Sequence, residues 1–296
     1  MSIRVYDALR GDRFEFQPVR PGKAGMYICG MTVQDRPHVG HMRGSVVGDL
    51  ISRVLTYFGY DVTYLNNFTD VDDKIIERAQ QEGIDYRVIA ERNMNAYLSF
   101  VDLIGNRRAT MYPKATDHIP EIQALIEQLV GKGLAYASGG DVYFRVERYA
   151  DYGKLSRRKV DELRSGARIE IGEHKESPLD FALWKGAKEG EPYWDSPWGR
   201  GRPGWHIECS AMSMKYLGET FDFHGGGLDL IFPHHENEIA QSEAATGRTF
   251  ANFWVEHGLV FLGGEKMSKS TKHFFLIEDI CKAVSYTHLT LPTSSE

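Results

Sequence analysis

Three groups of side chains in this sequence have types and spacings suited to chemistry. The first is Pro37-His38-Val39-Gly40-His41, which precedes a helix-like run. Free backbone N–H groups and the positive end of a helix attract phosphate at such a place, and two imidazoles can donate to charge developing on a phosphoryl group. Gly40 lets a nucleotide approach the backbone closely. The second is Gly263-Gly264-Glu265-Lys266-Met267-Ser268-Lys269-Ser270, where two lysines three apart share a loop with two glycines available as a hinge. Lysine meets phosphate as a point charge. The third group is Cys29, Cys209, and His234 with Glu238. His234 and Glu238, at i and i+4, share one helix face and can grip one ion, and thiolate, imidazole and carboxylate together are a donor set that zinc accepts. Each group alone also has a plainer reading: histidines at a turn, a solvated basic loop, or two buried cysteines behaving as small hydrophobes near an exposed polar helix.

The elements that must position these groups follow from periodicity. Met26-Tyr27-Ile28-Cys29 is a short apolar run between glycines and reads as a buried strand. From Met42 to Phe58, Val46, Val47, Leu50, Ile51, Val54, Leu55 and Phe58 recur at helical steps, and Gly59 supplies a stop. Val62-Thr63-Tyr64-Leu65 is a second strand, which completes a βαβ unit and places Gly30 to His41 at the ligand-binding edge beyond the strand ends. Helical spacing covers Val71 to Gln81, Tyr86 to Leu103 and Glu121 to Val130, with a boundary at Pro113 to Pro120. Asp141 to Val146 reads as a strand, and the charges, glycines and prolines that follow it predict an insertion rich in loops. Phe221 to His224 reads as a strand, Pro233 to Ala245 as a helix with proline in its first turn, and Trp254 to Leu262 as a strand. Gly199-Arg200-Gly201-Arg202-Pro203-Gly204 matches the dinucleotide pattern, but no strand precedes it, so it reads as a loop. His235-Glu236 fails as a metalloprotease motif because Ile239 stands where the second histidine belongs.

Composition bounds the class. The chain has 296 residues, 42% of them hydrophobic and 26% charged, the profile of a globular protein with more than one core-sized unit. Met1 to Gly11 lacks an apolar run of signal-peptide length, and no uncharged stretch is long enough to span a bilayer, so a cytoplasmic protein is expected. Three cysteines far apart do not make a disulfide framework. A net charge of −6 argues against coating a polyanion broadly, but leaves room for a local basic patch.

His38-Val39-Gly40-His41 and Lys266-Met267-Ser268-Lys269-Ser270, in this order and this far apart, resemble the HIGH and KMSKS signatures of class I aminoacyl-tRNA synthetases. Tyr27-Ile28-Cys29-Gly30, Asn67-Phe68-Thr69-Asp70-Val71-Asp72-Asp73-Lys74, Gly204-Trp205-His206-Ile207-Glu208-Cys209-Ser210 and His224 through Glu238 resemble the cysteinyl-tRNA synthetases in particular, and the likeness runs from about Val5 to Ile280. It implies an α/β fold: a Rossmann-like parallel-sheet catalytic domain with an inserted connective domain. Residues 1–115 would form its first half, 116–203 the insertion, 204–262 the second half, and 263–282 the lysine loop and the start of a stem-contact region. The same resemblance implies that His38, Gly40 and His41 bind the ATP phosphates, that Lys266 and Lys269 hold the leaving pyrophosphate, and that Cys29, Cys209, His234 and Glu238 bind one zinc ion per chain. Gly30, Thr69, Trp205, His224 and Asp229 would line the amino-acid pocket. The implied reaction is activation of L-cysteine with ATP and Mg²⁺ to cysteinyl-adenylate, then transfer to tRNA(Cys), with no membrane involved.

Zinc would explain the choice of substrate. An apolar pocket gains only about 1–3 kcal/mol from a group of methylene size, whereas a thiolate on zinc is matched by neither a hydroxyl nor a methyl group. Residues 117–203 are also short for an editing domain. Four protein ligands normally close a zinc site, so binding substrate needs five-coordination or a loosened ligand, and Glu238 is the candidate to loosen. Two rivals share the motifs: a ligase joining cysteine to an amino sugar in mycothiol synthesis, against which Glu238 weighs, and a non-catalytic relative, against which His38, His41, Lys266 and Lys269 weigh. The sequence departs from the family pattern at Gln34 and at Ser270-Thr271-Lys272-His273. Val284 to Glu296 departs from it altogether, which predicts a foreign, disordered end in a chain lacking the anticodon-binding domain, and hence weak tRNA binding.

Overall fold

The computed structural model of the protein describes residues 2–160, 174–262, 265–266 and 277–283. Strands β1 (Arg4–Asp7) and β2 (Asp12–Glu15) form an antiparallel hairpin ahead of β3 (Lys23–Thr32), helix α1 (Val39–Tyr57) and β4 (Asp61–Thr69). Helices α2 (Asp73–Glu82), α3 (Tyr86–Leu103) and α4 (Ile119–Gly131) follow. Strands β5 (Ala135–Ser138), β6 (Asp141–Phe144), β7 (Phe181–Gly186) and β8 (Gly201–Pro203) make a second, antiparallel sheet in sequential order. Helix α5 (Trp205–Leu217), β9 (Phe221–Gly227), α6 (Glu236–Thr246) and β10 (Ala251–His257) return to the first sheet, and β11 (Phe261–Leu262), β12 (Glu265–Lys266) and α7 (Ile277–Ala283) complete the described chain.

The central sheet is parallel with strand order β10-β9-β3-β4. From β3 the chain moves outward to β4, and from β9 it moves outward the other way to β10. The crevice beyond the carboxyl ends of β3 and β9 is therefore the switch point at which open α/β sheets bind ligands. Alternation along the strands fills both faces. Tyr27, Leu65 and Trp254 pack with Cys209, Met212 and Ile239 of α5 and α6. Met26, Ile28, Phe223 and Phe253 pack with Phe16 and with Leu55 of α1. The hairpin is tied to the far edge by buried Asp7, which accepts the backbone N–H of Trp254 at 2.9 Å.

Several expectations need correction. On α1 the apolar stripe faces outward at Val46, Leu50, Val54 and Phe58, and the buried face carries Met42, Ser45, Gly48, Asp49 and Leu55. A Cβ at Gly48 would meet the Tyr64 hydroxyl, so the small residue is where the sheet comes closest. Pro233 is not in the first turn of a regular helix: the Phe232–Pro233 bond is cis, Ile231–His235 form a wide turn, and α6 starts at Glu236. The strand expected from Trp254 to Leu262 is two, β10 and β11, broken at Gly258–Val260. Gly201–Pro203, read as loop, pairs with β7 as an edge strand, where a proline costs no ladder bond.

Candidate active site and metal centre

The fold gathers the four expected donors from three places. Cys29 ends the regular part of β3, Cys209 is in the second turn of α5, and His234 and Glu238 bracket the start of α6. One donor atom from each lies within 4.8 Å of all the others. Cys29 Sγ is 3.9 Å from Cys209 Sγ and 3.5 Å from Glu238 Oε1, and His234 Nε2 is 3.1 Å from the same Oε1. Around a tetrahedral zinc with Zn–S about 2.3 Å and Zn–N or Zn–O about 2.0 Å, these three edges would measure about 3.8, 3.5 and 3.3 Å. The agreement is close, and the donor chemistry agrees too. Burial pushes the thiols of Cys29 and Cys209 up and Glu238 up to about 8, so without a cation all three acids keep their protons. Burial also pushes His234 well down, leaving it a neutral imidazole with a lone pair to give. A divalent cation is the partner that such buried acids lack.

A second quartet, Cys29, His224, His235 and Glu238, is equally compact. Its contacts are of another kind. His224 Nε2 lies 2.7 Å from Glu238 Oε2, a hydrogen-bond length rather than a ligand edge, and His235 Nδ1 lies 2.8 Å from Glu256 Oε1. His235 is thus held by Glu256, while His224 braces Glu238 from behind. His206 does likewise, with its Nδ1 2.9 Å from His234 Nδ1. A His234 that offers Nε2 to a metal carries its proton on Nδ1 and donates it to His206.

Above this cluster opens a cavity of about 950 Å³ at the switch point. Cys29, Gly30, His38, Gly40, His41, Trp205 and Asp229 line it; Cys209, His234 and Glu238 lie under its floor. Gly30 is required by close approach, since a Cβ there would stand 1.7 Å from the Asn67 carbonyl oxygen. The Trp205 ring stacks on His234 with centroids 4.2 Å apart and covers the donors from the cavity side. At the other end His38 and His41 stack at 3.7 Å, and His41 Nδ1 accepts the His38 backbone N–H at 3.1 Å, capping α1.

Two expected pocket residues lie behind the wall. His224 is fully buried, stacked on Trp254 at 4.4 Å, and its ring contacts Glu238 at 2.7 Å. Thr69 is buried and donates to Glu208 Oε2 at 2.9 Å. Lys266 pairs in register with Phe261, its side chain undescribed, and Lys269 and the segment 284–296 lie outside the described residues. Sequence reasoning assigned no role to His206, Glu208, His235 or Glu256. The available signal was the i, i+3 spacing of His206 and Cys209 on one helix.

This fold and site define the class. The family model of tRNA synthetases class I (C) catalytic domain matches residues 15–294, and the chain belongs to that family. The chain is 59% identical over 280 residues to the cysteine--tRNA ligase of Geobacter metallireducens and 58% identical over 283 to that of Geobacter sulfurreducens. These alignments cover 95% and 96% of this chain but 58% and 59% of those proteins, so the chain spans under two thirds of their length. In three dimensions it is similar to Mycobacterium tuberculosis methionyl-tRNA synthetase in complex with methionyl-adenylate, with a TM-score of 0.68 at 17% identity over 90% of this chain and 63% of that one. That likeness concerns the fold. No described helix is long and apolar enough to cross a membrane.

Proposed function

We propose that this chain performs the cysteine-activating reaction of a cysteine--tRNA ligase. The single observation that carries the reading is the buried quartet Cys29, Cys209, His234 and Glu238, spaced for a tetrahedral ion directly beneath the cavity. Zinc held by these four residues supplies, when bound, a soft Lewis-acidic partner for a thiolate, which hydroxyl and methyl side chains do not satisfy. Relatives that bear the cysteine--tRNA ligase name, at 59% and 58% identity, support the same choice.

The remaining roles fall to residues along the cavity. Trp205 bounds the amino-acid end, and Asp229 at its rim offers a carboxylate to an ammonium group. The cysteine carboxylate attacks the ATP α-phosphorus, the α–β P–O bond breaks, and pyrophosphate leaves with Mg²⁺. His38 and His41, fixed by stacking at the start of α1, donate to the phosphoryl oxygens as charge shifts toward the leaving group. Lys266 and Lys269 would hold the pyrophosphate. The tRNA terminal ribose hydroxyl then attacks the acyl carbon and releases AMP. Cysteine-dependent ATP–pyrophosphate exchange, with and without a zinc chelator, tests the reading. Exchange that depends on cysteine and collapses with the chelator is expected; exchange indifferent to cysteine overturns it.

A further inference from the structure

A polyanion in this cavity needs positive charge, and the described part of the wall supplies little of it. Among the described lining residues one side chain is a lysine or arginine: Lys74, in the first turn of α2. Lysine opposes the helix dipole at that end, so its placement does not serve the helix. Among the described residues Lys74 forms no salt bridge, although Glu77 lies one turn further along the same cavity-facing side.

Its neighbour is held hard. Asp73 takes ion pairs from two strands of the second sheet, from Lys185 of β7 at 2.6 Å and from Arg202 of β8. The Arg202 side chain is 5% exposed and also faces Glu191 at 3.7 Å. Ile75, Ile76 and Ala79 bury the opposite face of α2. The first turn of α2 is thus clamped between its own core and the inserted sheet, with Lys74 turned to the cavity.

We infer that Lys74 contacts a phosphate of the substrate bound in this cavity, and that Asp73, pinned by Lys185 and Arg202, is its positioning residue. The inference deepens the proposed function and rests on its ATP- and RNA-using site. The phosphate belongs either to the free nucleotide or to the RNA terminus, and the test separates the two. Calorimetric titration of the zinc-loaded chain with ATP and Mg²⁺, and separately with a CCA-ended RNA hairpin, is compared for the wild type, K74A, K74R and D73N. A loss of about tenfold in K74A, mostly restored in K74R and partly reproduced in D73N, is expected for the ligand whose phosphate Lys74 meets. Loss for ATP assigns the nucleotide phosphate, and loss for the hairpin assigns the RNA. K74A within twofold of wild type for both ligands, or a wild type that binds neither, overturns the inference. Cysteine is absent from both titrations, so failure of the cysteine reading would appear in exchange assays and leave this result legible.

Discussion

The two ends of the cavity are built in opposite ways. At the proposed metal end, side chains from β3, α5, β9 and the start of α6 converge from positions up to 209 residues apart, and Glu238 and His234 each rest on a further histidine, His224 and His206. At the proposed phosphate end, His38, Gly40 and His41 come from one turn, half-exposed, with the two imidazoles stacked on each other. The difference matches the ligands proposed for the two ends. A soft cation must be enclosed by fixed donors, whereas a phosphate is met by dipoles and charges that tolerate water.

That contrast predicts graded failures. Cys209→Ser removes a donor that no neighbour replaces, so zinc content falls toward zero by elemental analysis and cysteine-dependent exchange falls more than about 1,000-fold. Loss of rate with zinc retained would break the comparison. His41→Ala keeps its zinc and slows exchange by about 100-fold, as does Lys269→Ala, because only stabilisation of the reacting phosphate is lost. Metal loss in either variant would show the two ends to be coupled. Trp205→Ala uncovers His234 without deleting a donor, so KM for cysteine rises about five- to tenfold while KM for ATP holds.

The smallest effect lies between the ends. Burial works to raise the Asp73 carboxyl, but Lys185 and Arg202 outweigh it and hold it below its ordinary value. A depressed carboxylate stabilises the fold above its unfolded-state pKa of 3.8 and loses that contribution as pH falls through the lower folded value. Asp73→Asn should therefore lower stability at pH 7 by no more than about 1 kcal/mol, because Asp73 and Lys185 are substantially exposed and buried Arg202 keeps Glu191 as a second partner. Melting temperatures of the two proteins should differ by a constant amount down to about pH 5 and converge below pH 3.8. A gap that widened with acid would refute the ion-pair account.

Much of this was legible locally. The bounds of α3, Tyr86–Leu103, follow from periodicity, and the i, i+4 pairing of His234 with Glu238 survives the shift of the helix start to Glu236. What escaped was tertiary. The sequence reads as a strand ending at His224, yet Gly225 to Gly227 continue it in register with β10; at Gly225 the β10 backbone leaves no room for a side chain, the Val255 carbonyl standing 2.1 Å from where a Cβ would be, and at Gly226 and Gly227 the side chains of Leu230, His235 and Asp229 crowd the same space. His224 could be read as pocket-lining because nothing in the sequence tells which face of β9 meets Glu238. On α1, too, period gives a stripe but not what covers it, and Val46, Leu50 and Val54 face outward.

The strand order β10-β9-β3-β4 also sets a timetable for synthesis. β3 and β4 leave the ribosome early, but the strand that pairs with the other side of β3 starts at Phe221. At roughly 5–20 residues per second, β3 waits on the order of ten to forty seconds with the backbone groups of one edge unpaired and Cys29 open to solvent. The inserted sheet, whose strands pair in sequence, has time to close in the interval. Conditions that slow translation before Phe221 should therefore raise aggregation more than the same delay placed after His257.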